Sequence, residues 1–114
     1  MRKVGILGDL HSNLSALEAV LALFELEEVD AIYCVGDVVG YGARPNEVIE
    51  LLVKKGVTAV AGNHDWALLG KISEESFNPY ARAALEWTRS RITPDAKAYL
   101  EALPLRIDTE HFCF

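Results

Sequence analysis

The chain has 114 residues, 51% hydrophobic and 25% charged, a balance suited to a single globular domain over 1–114 with a buried core. Its formal net charge of -6 excludes a generic nucleic-acid surface, because nonspecific affinity for polyanions is built from Lys and Arg. The apolar run after Met1-Arg2-Lys3 stops at Gly8, too short for a signal peptide or a membrane span, and predicts a cytoplasmic location.

Val4 to Leu7 is an apolar stretch that runs into Gly8-Asp9 and predicts the first strand. Asn13 to Glu27 sets Leu14, Leu17, Leu21 and Phe24 at helical spacing, with Ser12 or Asn13 available as N-cap. The acidic run Glu25 to Asp30 reads as the solvated end of that helix. A second strand, Ala31 to Val35, leads into Gly36-Asp37. The second helix is bounded by its chemistry: Pro45 suits the first turn, Glu47 the positive end, Lys54 and Lys55 the negative end, and Gly56 closes it. Val48, Leu51 and Leu52 supply its buried face. Val57 to Ala61 then runs into Gly62-Asn63 as a third strand.

Beyond Asp65 the pattern turns helical. Asn78-Pro79 opens a segment near Tyr80 to Arg91, and Thr93-Pro94 opens another near Asp95 to Leu103. Leu105 to Phe114 reads as one or two strands around Asp108, and an apolar edge at Phe112-Cys113-Phe114 predicts self-association. Strand and helix thus alternate as βαβαβ, which predicts an α/β fold: a parallel sheet flanked by helices, followed by a helical segment and a terminal strand.

The three strand ends carry the chemistry. Each apolar stretch runs into a glycine and then a metal-capable side chain, Asp9, Asp37 or Asn63, and in an open α/β sheet the ligand crevice lies beyond the carboxyl ends of the strands. His11 follows Asp9 by two residues and His64 follows Asn63 directly. A single Gly-Asp after a strand is ordinary turn chemistry, but three with two adjoining histidines make a site. Oxygen and nitrogen donors without thiolate suit Mn, Fe, Zn, Co or Mg. A pair of such ions can hold a hydroxide nucleophile and clamp two oxygens of a phosphate ester, with His64 as proton donor and Asp65 beside it to orient the ring.

Gly8-Asp9-Leu10-His11-Ser12-Asn13, Gly36-Asp37-Val38-Val39-Gly40-Tyr41-Gly42 and Gly62-Asn63-His64-Asp65 resemble the first three motifs of the calcineurin-like metallophosphoesterases, the small bacterial and archaeal branch in particular. The likeness continues through Pro45-Asn46-Glu47-Val48 to Leu105. Carried over position by position, it implies Asp9 and His11 as ligands of a first metal, Asp37 as the bridge and Asn63 as ligand of a second. It further implies that His64 stabilises or protonates the leaving oxygen and that Asp65 orients His64. The family pattern also requires a later lone histidine and a Gly-His-x-His segment, neither of which the sequence holds, and His111 is not assigned to the metal. The resemblance therefore implies the amino-terminal portion of a partial metallophosphoesterase sandwich, in which at most one ion is held tightly.

Two functions follow as expectations. One is a metal-dependent phosphoesterase acting on a phosphomonoester or phosphodiester, a small molecule or nucleotide, through metal-activated hydroxide. The other is a truncated, catalytically weak or silent metal-binding module that self-associates. No G-x-G-x-x-G, no P-loop and no serine nucleophile elbow occurs. Cys34 and Cys113 form neither a C-x-x-C pair nor a metal spacing and read as reduced structural thiols. Tyr41 is open between substrate contact and packing, and Arg44 between phosphate contact and solvent. Trp66 and Trp87 read as core or cap residues of the helical part.

Overall fold

In the computed structural model, which describes residues 3–109 and Cys113, strands and helices follow in the order β1 (Val4–Leu7), α1 (Leu14–Leu26), β2 (Ala31–Cys34), α2 (Pro45–Lys54), β3 (Thr58–Ala59), α3 (Asn63–Leu68), α4 (Pro79–Arg91) and α5 (Pro94–Ala102). The strands form one parallel sheet in the order β1-β2-β3, with Val4 opposite Ala31, Leu7 opposite Cys34 and Cys34 opposite Ala59. This is the predicted α/β architecture. Leu7, Cys34 and Ala59 lie side by side and are buried against Leu17 and Leu21 of α1, Val48 and Leu52 of α2, and Leu85 and Leu100 of the later helices.

The helix starts follow the local chemistry. Asn13, not Ser12, caps α1, its Oδ1 accepting from the Ala16 N–H at 3.1 Å. Asn78 and Thr93 cap α4 and α5 in the same way, each followed by proline at the first helical position. Gly56 closes α2 at φ +67, a conformation that side chains resist.

Three expectations are corrected. The third strand shortens to two paired residues, because beyond Val60, whose N–H still reaches the Cys34 carbonyl, the Ala61 N–H turns to the Pro104 carbonyl at 2.8 Å. A helix begins at Asn63 itself rather than beyond Asp65, so Asn63, His64 and Asp65 occupy its first turn. Trp87 faces outward, 40% exposed beneath the Arg91 guanidinium, because Ala81, Leu85 and Thr88 form the buried stripe of α4. At the far end, Asp108 and Cys113 make an isolated antiparallel bridge in place of a strand among the described residues. His111, Phe112 and Phe114, on which the terminal strand and the self-association edge rested, lie outside those residues. No helix among the described residues is long and apolar enough to cross a membrane.

Candidate metal centre

The sheet delivers its three Gly-Asp or Gly-Asn corners to one end, and their backbones are bound to each other. The His11 N–H donates to the Asp37 carbonyl at 2.9 Å and the Ser12 N–H to the Val38 carbonyl at 2.9 Å. The His64 N–H donates to Asp37 Oδ1 at 3.0 Å. Gly36 sits at φ +106, and a Cβ there would meet the Gly62 nitrogen at 2.7 Å, so the second and third corners approach through a glycine. Asp9, His11 and Asp37 themselves adopt left-handed backbone, with φ of 51°, 45° and 55°. Each such residue costs on the order of 1–3 kcal/mol, and clusters of them mark functional sites.

From these corners Asp9, His11 and Asp37 each present one donor atom, all within 4.8 Å of one another. His11 Nδ1 lies 3.0 Å from the Val39 carbonyl. A carbonyl only accepts, so Nδ1 carries the proton and donates, and the lone pair is left on Nε2, 3.7 Å from Asp9 Oδ1. A carbonyl that fixes the far nitrogen of an imidazole is how proteins prepare that ring for a metal. Two carboxylates and one oriented imidazole can hold a divalent ion.

Asn63 stands at the exposed first position of α3, one residue from the backbone bond to Asp37. His64 is buried, with its ring packed among those of His11 at 4.7 Å, Phe77 at 4.8 Å and Tyr41 at 5.2 Å. Its Nδ1 has no hydrogen-bond partner among the described residues. Burial lowers the His64 pKa, with Asp37 opposing and His11 reinforcing the shift.

Asp65 does not orient the His64 ring through its carboxylate. Oδ1 accepts from the Val39 N–H at 3.1 Å and Oδ2 from the Gly62 N–H at 2.9 Å, and the side chain is fully buried. The reason is helical geometry. At the third position of α3 a carboxylate reaches back to the amide before the helix start, away from its neighbour's side chain. Burial raises the Asp65 pKa while the amides of Gly62, Val39 and Val38 hold it down. The residue thus ties the second corner to the third.

A cavity of about 620 Å³ opens beside the donors, lined by Asp9, His11, Asn13, Ser15, Tyr41 and Arg44 among others. Tyr41 is half-exposed on its wall, at φ 53°, its ring edge-on to His11 at 5.1 Å and its hydroxyl accepting from the Asn78 amide at 3.3 Å. It therefore packs and lines the cavity at once. Arg44 pairs with Glu47 at 3.1 Å on the exposed rim. The contacts that Val39, Phe77 and Asn78 make at this site were not legible as such in the sequence. The Val39 contact is made by a carbonyl, which no side-chain pattern reports. Phe77 carried a faint signal: it precedes the α4 cap, where an apolar residue packs on the fourth helical position, yet that position is Arg82.

Comparison with known proteins gives the same direction. Residues 2–111 match the sequence profile described as calcineurin-like phosphoesterase. The chain is 43% identical over 105 residues to uncharacterized protein MJ0912 of Methanocaldococcus jannaschii, covering 92% of this chain and 43% of that protein. A metallophosphoesterase structure from Sphaerobacter thermophilus matches with a TM-score of 0.79 at 42% identity, over 98% of this chain and 45% of that one. The structure of a candidate diadenosine tetraphosphatase matches with a TM-score of 0.70 at 31% identity, over 89% of this chain and 42% of the other. The chain spans less than half the length of each of these relatives.

Proposed function

The chain belongs to the calcineurin-like phosphoesterases, and from that premise we propose that it hydrolyses phosphate esters at a divalent-metal centre built on Asp9, His11 and Asp37. The observation that carries this reading is the convergence of those three donors from two strand ends, with the His11 proton committed to the Val39 carbonyl. When bound, divalent ions supply a nucleophile at neutral pH and neutralise the phosphate oxygens. In this reading Asp37 would bridge two ions and Asn63 would serve the second, and Mn, Fe, Zn, Co and Mg all suit the donor set.

The chain's own residues do the rest. His64, beside Asp37 through its backbone, stabilises or protonates the leaving oxygen. Burial favours its neutral ring, which supports stabilisation by hydrogen bonding, while the Asp37 carboxylate opposes that shift and favours the charged ring that protonation needs. Asp65 holds the Val39 and Gly62 amides and so keeps the Asp37 and His64 corners in register. A cavity of about 620 Å³ is in the range that holds nucleotide-sized ligands, and one structural relative is described as a candidate diadenosine tetraphosphatase. Both support a phosphomonoester or phosphodiester of nucleotide size as substrate.

A second reading, a metal-binding module of low turnover, is favoured by one observation. Asp9, His11 and Asp37 give three donors to a first ion, whereas the assigned donors of a second are Asp37 and Asn63 alone. Elemental analysis and hydrolysis of bis(p-nitrophenyl) phosphate by the metal-loaded chain separate the two. The first reading expects turnover that Asp37→Asn abolishes together with the bound metal, and it is overturned if Asp37→Asn leaves turnover intact. One tightly held ion with hydrolysis no faster than the uncatalysed reaction supports the second.

A further inference from the structure

Of the two imidazoles of the candidate centre, His64 has no hydrogen bond to its Nδ1 among the described residues. His11 is held by the Val39 carbonyl, but His64 Nδ1 is buried without a partner among the described residues, and the neighbouring carboxylate of Asp65 is committed to two backbone amides. An imidazole that must act on a substrate needs its plane fixed, and a hydrogen bond to the second nitrogen is the usual means. Something else must do so here.

Among the described residues, three aromatic rings and a glycine pack on the His64 ring. Phe77 lies 4.8 Å from His64, centroid to centroid, at 35°, His11 lies 4.7 Å away at 70°, and Tyr41 lies 5.2 Å away at 42°. Gly40, at φ +95, presses on the remaining side, where an added Cβ would meet His64 Nδ1 at 2.6 Å. Tyr41 is itself tethered. Its hydroxyl accepts from the Asn78 amide at 3.3 Å, while Asn78 Oδ1 caps α4 on the Ala81 N–H at 2.8 Å. Two consecutive residues ahead of α4 therefore reach the centre, one directly and one through Tyr41. With Arg82 at the fourth helical position, Phe77 has no apolar partner there on its own helix and packs instead against the core and the His64 ring.

We propose that Phe77 and Asn78 form a positioning element for His64, clamping the imidazole by ring packing in the place a hydrogen bond would take. Phe77 stacks on the ring, and Asn78 holds Tyr41 so that His64 cannot swing toward the cavity. Aromatic pairs at these separations prefer tilted or edge-on arrangements and resist reorientation. Neither residue lines the cavity beside the donors. The element sets the angle at which His64 meets the leaving oxygen, and its effect on turnover rests on the phosphoesterase reading, whereas its effect on the ring does not.

The test therefore reads the ring and the turnover separately in the full chain. Histidine side-chain NMR signals, with His64 identified from His64→Ala, are recorded for the wild type, Phe77→Leu, Phe77→Tyr, Asn78→Ser and Tyr41→Phe. Serine keeps the cap while removing the amide donor to Tyr41. Expected are displaced and broadened His64 signals in Phe77→Leu with His11 unmoved, and recovery in Phe77→Tyr. Loss of kcat by about 10- to 100-fold at unchanged KM and unchanged metal affinity is expected to accompany the displaced ring, since small misplacements cost that much. Asn78→Ser and Tyr41→Phe should give the same smaller displacement, with no further change when combined. Unmoved His64 signals in Phe77→Leu overturn the proposal, as does a loss of activity carried by KM or by metal content. Should the wild type prove inactive, the phosphoesterase reading fails while the NMR result still decides this one.

Discussion

Replacing Asp65 by asparagine separates a structural carboxylate from a catalytic one. The native side chain is fully buried and accepts one N–H on each oxygen, from Val39 at 3.1 Å and from Gly62 at 2.9 Å. Asparagine has the same shape but one acceptor oxygen, so its amide group must face a backbone donor. One hydrogen bond to a charged acceptor is lost, worth about 1.5–3 kcal/mol, and a buried N–H is left unsatisfied, for a total destabilisation of about 2–4 kcal/mol. Urea unfolding followed by the fluorescence of Trp66 and Trp87 should show a lower midpoint at unchanged slope. Because Val39 also anchors His11 and Gly62 adjoins Asn63, metal affinity should fall with stability. A variant as stable as wild type, within about 0.5 kcal/mol, that loses only turnover would refute this and restore Asp65 as the group that orients His64.

Alkaline stability should depend on Cys34. Burial pushes its thiol from about 9 up to about 11, so the stability it contributes is complete below pH 9 and is lost as pH rises toward 11. By pH 10 the wild type should lose about 1.4 kcal/mol more than Cys34→Ala does, measured by urea unfolding at pH 8 and 10, and parallel losses would count against it. Tyr99 is half-buried, its hydroxyl is enclosed with no partner among the described residues, and burial pushes its pKa to about 12. Tyr99→Phe should therefore be neutral or stabilising by up to about 1 kcal/mol, and a clear loss in thermal unfolding would reveal a partner for that hydroxyl.

The sequence alone determined the parts whose causes are local. Apolar runs that end in Gly-Asp or Gly-Asn located the three strands and the corners beyond them, and Ser12 or Asn13, Asn78 and Thr93 marked helix starts, because capping is settled within four residues of chain. The same motifs named Asp9, His11 and Asp37, which the fold then brought within 4.8 Å. Tertiary structure decided what each group touches. The Val39 carbonyl that sets the His11 proton lies 28 residues away, the Val39 amide that takes an Asp65 oxygen 26 residues away, and the Asn78 amide that holds Tyr41 37 residues away. Adjacency in sequence suggested that Asp65 serves His64, but the first turn of a helix sends neighbouring side chains in different directions. A backbone amide competing for a carboxylate leaves no trace in the order of side chains, and neither does the ring packing that Phe77 brings to His64, since both depend on how separate corners of the sheet are folded against one another.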